Sequence, residues 1–158
     1  MSAAAFDDVG DLYQEIILDR GRHPRHGRAL EQFDARARGD NPMCGDRVEI
    51  YARRSPDGRL ADIGFSARGC AISIASADLM AEAVIGCTRA EIGELFNSFS
   101  MLVRTGECSA CSAACSAAMD ALLPLGGVHN YPSRVKCAAL PWHALIAALE
   151  NRREASSE

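Results

Sequence analysis

Four side chains that could bind a metal ion occur at three places in the sequence. Cys44 and Asp46 stand two positions apart in the segment NPMCGD, residues 41–46, just before a predicted strand. The proline of this segment disfavours helix at the residue before it, and its glycine lets the backbone bend, so that both side chains can converge. Cys70 and Cys137 lie at comparable junctions further along the chain. If the fold gathers the four, three sulfurs and one carboxylate oxygen suit a tetrahedral zinc ion.

The other cysteines fall into two groups. Cys108, Cys111 and Cys115 are spaced by three and four residues, so that a helix would place all three thiols on one face. They could hold a second metal, act as a redox relay or bind nothing, and the alanines and serines around them offer few further ligands. Cys87 directly precedes a predicted helix start, and we expect it to serve packing.

Composition indicates the class of protein. The chain has 158 residues, of which 48% are hydrophobic and 24% are charged, and these values are typical of one globular domain with an ordinary core. We therefore expect a single domain over residues 1–158, with a folded core of about 8–150 and flexible ends. A net charge of −4 without a broad basic face argues against nucleic-acid binding, and the short basic run at residues 20–26 is expected to be a solvated helix end.

The sequence also predicts a cytoplasmic protein. It has no run of about 18 apolar residues that would span a membrane, and its amino terminus lacks a basic region followed by an apolar core. The number of cysteines, seven, is odd, and the cytoplasm keeps thiols reduced. Metal or sulfur chemistry is therefore a better interpretation of these cysteines than a disulfide framework.

Three predicted elements surround the first two ligands in the sequence. Apolar residues at helical spacing predict an amphipathic helix over residues 11–20, which Gly21 ends. Residues 23–40 show little periodicity and are interpreted as a loop. Alternating apolar residues on either side of the turn segment SPDG, residues 55–58, predict an antiparallel hairpin directly after the Cys44 turn.

Helices are predicted after the hairpin. Helical spacing from Cys70 to Gly86 places this cysteine at a helix amino terminus, where free amide groups and the helix dipole favour a thiolate. Thr88 and Glu91 form the capping-box pattern of a second helix.

The last ligand is predicted to lie just before the final helix. Residues 128–137 are interpreted as an extended approach to Cys137, and Pro141 as the opening of the helix. Arg134 and an adjacent lysine add positive charge that favours the thiolate. Residues 150–158 are interpreted as a charged, fraying tail.

The ligand residues lie within longer blocks of sequence. These are LYQEIILD at residues 12–19, NPMCGDR at 41–47, RGCAISIASADLM at 68–80 and YPSRVKCAALPWHAL at 131–145. In this order they resemble the IscU/NifU amino-terminal family of iron–sulfur cluster assembly proteins, and most closely its SufU type. The resemblance extends over nearly the whole chain, and four ordered blocks are far more specific than one motif.

The resemblance implies both a fold and a site. The implied fold is α+β, with a small, mostly antiparallel three-stranded sheet covered by helices. Cys44, Asp46, Cys70 and Cys137 match, position by position, the family's metal-binding cysteine, aspartate, cysteine and cysteine. The implied cofactor is one zinc ion per chain, with a 2Fe-2S cluster at the same site as the alternative. Arg134 is expected to orient the docked partner or the sulfur.

The subtype determines the expected function. Scaffold-type members typically carry a histidine immediately before the last cysteine and an LPPVK chaperone-recognition segment, whereas this chain has Lys136 at that position and lacks the segment. The resemblance thus implies a zinc-dependent sulfur acceptor. Such a protein takes persulfide sulfur from a SufS-type pyridoxal-phosphate cysteine desulfurase, which it activates, and passes the sulfur towards downstream iron–sulfur scaffold proteins.

The resemblance also suggests how sulfur is accepted. Cys44 would be the acceptor, freed from zinc when the desulfurase docks, while a histidine of the partner takes its place. Asp46 is the candidate hinge of this exchange, because a carboxylate is the weakest match to zinc among the four ligands.

Two other functions stay open. The same four side chains could hold a 2Fe-2S cluster on an assembly scaffold, because cysteine ligands suit both metals. The third possibility is a structural zinc domain that serves only as an interaction module. The apolar core looks large enough to fold without a metal, which disfavours this last interpretation.

Overall fold

The structure, a computed structural model, describes residues 13–42, 45–107 and 113–156. Cys44, Cys108 and Cys111 lie outside the described residues, as does the side chain of Cys115, so the predictions for these cysteines stay predictions. The helices are α1 (residues 13–22), α2 (Ala71–Val84), α3 (Arg89–Thr105), α4 (Ala113–Leu122), a 3-10 helix (Leu123–Asn130) and α5 (Pro132–Leu149), and the strands are β1 (Ala35–Asn41), β2 (Asp46–Arg54), β3 (Leu60–Arg68) and β4 (Glu154–Ser156).

The strands form one mixed sheet in the order β3-β2-β1-β4. The predicted hairpin is confirmed as the antiparallel pair β2 and β3, and β1 pairs with β2 in the same sense. Strand β4 joins the other side of β1 in parallel. The predicted α+β class is therefore right, but the prediction of a three-stranded sheet is wrong, because the sheet has four strands and is mixed.

Strand β1 lies in the segment that was expected to be a loop. Its inward-facing positions hold Ala35, Ala37 and Gly39, which lack the β-branched and aromatic side chains that usually indicate a strand. Their small size has a structural reason, since a Cβ on Gly39 would come within 3.0 Å of Leu140 Cδ1 in α5. The helix can therefore lie close against the sheet.

Part of the predicted tail is also ordered. Asn151 adopts a left-handed conformation, with φ at 61°, directly after α5, and asparagine is one of the few residues that tolerate it. The chain then turns back, and the Arg38 amide donates a hydrogen bond of 2.8 Å to the Arg153 carbonyl. Glu154–Ser156 thus completes the sheet as β4, so the prediction of a fraying tail is wrong for these residues.

Helix α5 packs against β1, β2 and α2, and it holds the centre of the core. Trp142 is fully buried and stacks on Phe99 with ring centroids 5.0 Å apart. The helix begins at Pro132, where a missing amide hydrogen is tolerated, and Pro141 lies inside it. Cys137 is therefore within a helix, and the predicted extended approach before a helix starting at Pro141 is wrong.

The predicted capping box of α3 is confirmed. The Glu91 amide donates to Thr88 Oγ1 at 3.2 Å, and the Thr88 amide donates to Glu91 Oε1 at 2.9 Å. Hydrogen bonds from the Thr88 amide and the Thr88 side chain to the Glu91 carboxylate, and then the charge of Arg59, lower the pKa of Glu91.

A buried carboxylate connects α1 and the following loop to α2. Asp78 is fully buried, and its oxygens accept hydrogen bonds from Arg20 Nη1 at 2.7 Å and from the His26 amide at 2.8 Å. Arg20 also pairs with Glu82 at 2.6 Å. Burial lowers the pKa of Arg20, but the hydrogen bonds to Glu82 and Asp78 outweigh it, so the net shift is upward. The expected solvated helix end is thus wrong for Arg20, whose side chain is only 16% exposed.

None of the helices in the described part of the chain is long and apolar enough to cross a membrane.

Candidate metal centre

Three of the four predicted ligands converge in space. Asp46 begins β2, Cys70 immediately precedes α2 and Cys137 lies in α5, yet their ligand atoms are all within 4.8 Å of one another. Asp46 and Cys137 are buried, whereas Cys70 is partly exposed. The group therefore lies at the edge of the core, and solvent can reach it on the side of Cys70. Cys44, which is outside the described residues, stands two positions before Asp46 in the sequence.

The Asp46 carboxylate is fixed by hydrogen bonds to α2. Its Oδ1 accepts a bond of 3.0 Å from the Cys70 amide, which is available because Cys70 is the N-cap residue of the helix. Its Oδ2 accepts a bond of 3.1 Å from the Ser73 hydroxyl and lies 3.7 Å from Cys70 Sγ. With 3% of its surface exposed, Asp46 has little room to move.

Gly69 makes this arrangement possible. Its φ of 150° is a conformation that side chains rarely adopt, and a Cβ would overlap Asp46 Oδ1 and lie 2.7 Å from Asp46 Cγ. The strand-to-helix junction before Cys70 therefore needs a residue without a side chain.

Gly69→Ala is expected to destabilise the protein and to disturb the site. The backbone strain alone costs about 1–3 kcal/mol, and the carboxylate of Asp46 must move away from the added methyl group. Thermal denaturation and zinc affinity would both be measured. Gly127→Ala is the control, because a Cβ there meets no atom within 4 Å. Equal behaviour of the two variants would contradict this role of Gly69.

Arg134 places a positive charge beside the two thiols. A hydrogen bond with the Cys137 side chain, followed by electrostatic interaction with Cys70 and Cys137, raises the pKa of Arg134. Arg134 itself is exposed at the start of α5. The structure thus places the residue that was expected to orient a partner or the sulfur directly at the site.

The donor set fits zinc. In a tetrahedral site with Zn–S near 2.3 Å and Zn–O near 2.0 Å, sulfur and oxygen ligands lie about 3.5 Å apart. Cys70 Sγ and Asp46 Oδ2 are already 3.7 Å apart. The group offers two sulfurs and one carboxylate oxygen, and it is open to solvent. A four-coordinate zinc ion could therefore take one further ligand from the open side.

Cys87 does not belong to this group. It is partly buried against the core, and its Sγ donates a weak hydrogen bond to the Ala83 carbonyl at 3.5 Å. Burial, and then the charge of Glu91, raise the pKa of the Cys87 thiol. The predicted packing role is confirmed, and Cys87 offers a control position for cysteine substitutions.

Sequence reasoning missed Ser73 and Gly69 as parts of the site. Signals for both were present, since Gly69 directly precedes Cys70 and Ser73 follows it by three residues, which is nearly one helical turn. Their importance depends on where Asp46 lies, and that becomes visible only when β2 and α2 are brought together.

The chain resembles known proteins over most of its length. Residues 12–138 match the family described as NifU-like N terminal domain. The chain is 32% identical over 151 residues to the iron–sulfur cluster assembly scaffold protein IscU of Streptococcus pyogenes serotype M1, in an alignment that covers 96% of this chain and 91% of that protein. It is 31% identical over 138 residues to the zinc-dependent sulfurtransferase SufU of Bacillus subtilis, covering 87% and 89% of the two chains.

A solved structure of a similar protein has the same fold. A candidate iron–sulfur cluster assembly scaffold protein for the SUF system, from Fervidobacterium islandicum AW-1, superposes with a TM-score of 0.72. The match covers 85% of this chain and 94% of that one, with 31% identity. From the sequence match, the shared fold and the converging ligands, we conclude that the chain belongs to the NifU-like N-terminal domain family.

Proposed function

We propose that this protein is a zinc-dependent sulfur acceptor, which takes persulfide sulfur from a cysteine desulfurase for iron–sulfur cluster assembly. The observation that carries the proposal is the convergence of Asp46, Cys70 and Cys137, with Cys44 two positions before Asp46. The relative named as a zinc-dependent sulfurtransferase supports the choice of zinc, and the relatives named as assembly scaffolds support the wider process.

Each proposed ligand has a role. Cys44, Asp46, Cys70 and Cys137 would hold zinc, and bound zinc keeps its cysteine ligands deprotonated. Asp46 is buried and held by the Cys70 amide and the Ser73 hydroxyl, which favours a fixed ligand over a hinge. We assign sulfur acceptance to Cys44, as the resemblance implies. Asp46, Cys70 and Cys137 would remain bound to zinc during the transfer.

The sulfur transfer needs no oxidant. The Cys44 thiolate attacks the outer sulfur of the persulfide on the desulfurase cysteine, and a new S–S bond forms at Cys44. The S–S bond of the partner breaks at the same time, and the partner's cysteine leaves as a thiolate. One sulfur atom has moved, and the persulfide on Cys44 can pass it on to a downstream scaffold protein in the same way.

Arg134 reduces the electrostatic cost of this transfer. Three thiolates and one carboxylate carry four negative charges, so a zinc ion leaves the site with an excess of negative charge. An incoming persulfide is also an anion. Because Arg134 lies against Cys137 and Cys70, its charge offsets the repulsion between the site and the persulfide.

Arg134→Ala is expected to lower desulfurase stimulation about tenfold when the protein is below saturation, because electrostatic attraction acts mainly on association. The stimulation would be titrated at low and at high ionic strength. Arg134→Lys should retain part of the effect, since it keeps the charge, and Lys136→Ala is the control on the same exposed segment. The assignment fails if the alanine and lysine variants of Arg134 behave alike at both salt concentrations.

The proposal is tested by measuring cysteine desulfurase turnover with and without the protein, beside its metal content as purified. We expect about one zinc per chain and strong stimulation of turnover. Protein without zinc that leaves the turnover unchanged would refute the proposal. Chelator-treated protein should lose the stimulation and regain it when zinc is returned.

A second function is favoured by the S. pyogenes relative, which is named as an assembly scaffold and aligns with 96% of this chain. Cysteine ligands suit iron as well as zinc, so the same side chains could hold a 2Fe-2S cluster. Reconstitution with ferrous iron and sulfide distinguishes the two functions. A stoichiometric cluster that forms on the protein and transfers to an acceptor would favour the scaffold.

A further inference from the structure

We propose that Ser73, which would not bind the metal itself, is a positioning residue that sets the placement of Asp46 and Cys137 relative to each other. The zinc affinity of the site then depends on the Ser73 hydroxyl. This inference rests on the proposed metal centre.

Ser73 joins the three elements that carry the described ligands. It lies in α2, three residues after Cys70, and is 3% exposed. Its Oγ is 3.1 Å from Asp46 Oδ2, at the start of β2, and 3.0 Å from the backbone oxygen of Cys137 in α5. Both oxygens are acceptors, and a hydroxyl has one hydrogen. The Ser73 hydroxyl therefore shares this hydrogen between the side chain of one proposed ligand and the backbone of another.

Pro141 explains why a side chain donates to the Cys137 carbonyl. In an α-helix this carbonyl would accept a hydrogen bond from the amide four residues later, and that position is occupied by Pro141, which has no amide hydrogen. A proline ring inside a helix also crowds the carbonyl four residues before it. The Ser73 hydroxyl donates to this carbonyl from α2, so the backbone of Cys137 is tied to the element that carries Cys70.

Ser76 provides a matched comparison in the same helix. Its hydroxyl is also buried, and it donates to the Ala138 carbonyl of α5 at 2.5 Å. Both serines therefore make one hydrogen bond from α2 to the backbone of α5. The two hydroxyls differ in one contact, because that of Ser73 also donates to the Asp46 carboxylate.

The consequence is a difference in metal affinity between two similar variants. Removing a hydrogen-bond partner of a metal ligand typically costs 10–100-fold in affinity. We expect Ser73→Ala to lower zinc affinity by about 10–100-fold, and Ser76→Ala to change it by about twofold at most. Each variant loses one hydrogen bond between α2 and α5, and Ser73→Ala also loses the bond to the buried Asp46 carboxylate. The melting temperature without metal should therefore fall in both variants, and at least as far in Ser73→Ala.

The test uses the full chain and two measurements that do not depend on desulfurase activity. Zinc affinity is determined by competition with a chromophoric chelator, and the visible absorption of the cobalt-substituted protein reports ligand geometry. We expect Ser73→Ala to lose affinity and to alter the cobalt bands, with Ser76→Ala close to wild type in both. Equal affinities for Ser73→Ala and wild type would overturn the inference, and so would equal losses in the two variants, since these would indicate helix packing alone. Wild-type protein that binds no zinc would instead refute the proposed function.

Discussion

Replacing Cys137 by alanine is expected to lower zinc affinity by more than about 100-fold, because loss of a ligand should exceed the cost of losing an outer partner of a ligand. Cys137 is fully buried, and its thiol is one of the three donors that converge within 4.8 Å. No neighbouring cysteine in the described residues is placed to replace it, since Cys87 lies against the core elsewhere. Zinc content after dialysis and chelator competition would both be measured.

Cys87→Ala is the control for this experiment. It removes a partly buried cysteine from the same domain without touching the proposed ligands, so its zinc affinity should match wild type. Cys70→Ala should behave like Cys137→Ala. Full zinc occupancy in either of these two ligand variants would contradict the proposed centre.

Cys44→Ala is expected to abolish stimulation of the desulfurase while leaving a weaker zinc site in place. The three remaining ligands and a water molecule can complete the metal's coordination, as they do in zinc sites with an open position. The acceptor thiol, however, has no substitute in this account. Turnover of the desulfurase would be followed with saturating cysteine, beside the zinc content of each variant.

The comparison of Cys44→Ala with Asp46→Ala separates acceptance from metal binding. Asp46→Ala removes a ligand together with the hydrogen-bond acceptor of Cys70 and Ser73, so it should lose zinc as well as stimulation. Cys44→Ala that keeps full stimulation would exclude Cys44 as the acceptor.

The sequence predicted elements well where side chains indicate their own environment. The β2 and β3 hairpin alternates large apolar and polar residues, and the α3 start carries a capping box, so local chemistry was sufficient. Strand β1 and strand β4 were missed for a different reason. Their pairing depends on α5 lying against Gly39 and on the chain turning at Asn151, and neither tertiary contact is visible in a local pattern.

Two prolines led to a wrong prediction of where the last helix begins. Pro132 and Pro141 suggested an extended segment followed by a helix, whereas one helix runs from Pro132 to Leu149. Pro141 is accommodated within it, and the carbonyl affected by its missing amide hydrogen accepts a bond from Ser73 in another helix. A donor supplied from α2 could not be foreseen from the sequence of α5 alone.

More of the candidate site than of the surrounding fold could be predicted from the sequence. Residue types and spacing selected Asp46, Cys70 and Cys137, and the structure brings these three together. What the sequence could not provide is the support around them, because the contacts of Gly69 and Ser73 with Asp46 join residues more than twenty positions apart.

Mass spectrometry of the protein after reaction is the most direct test of whether sulfur moves onto Cys44. The zinc-loaded protein would be incubated with a pyridoxal-phosphate cysteine desulfurase and cysteine, alkylated, digested and mapped. We predict the mass of one additional sulfur atom on the peptide that contains Cys44, and its absence from the peptides of Cys70, Cys87 and Cys137. Additional sulfur on another cysteine, or on none while the desulfurase turns over, would contradict the account.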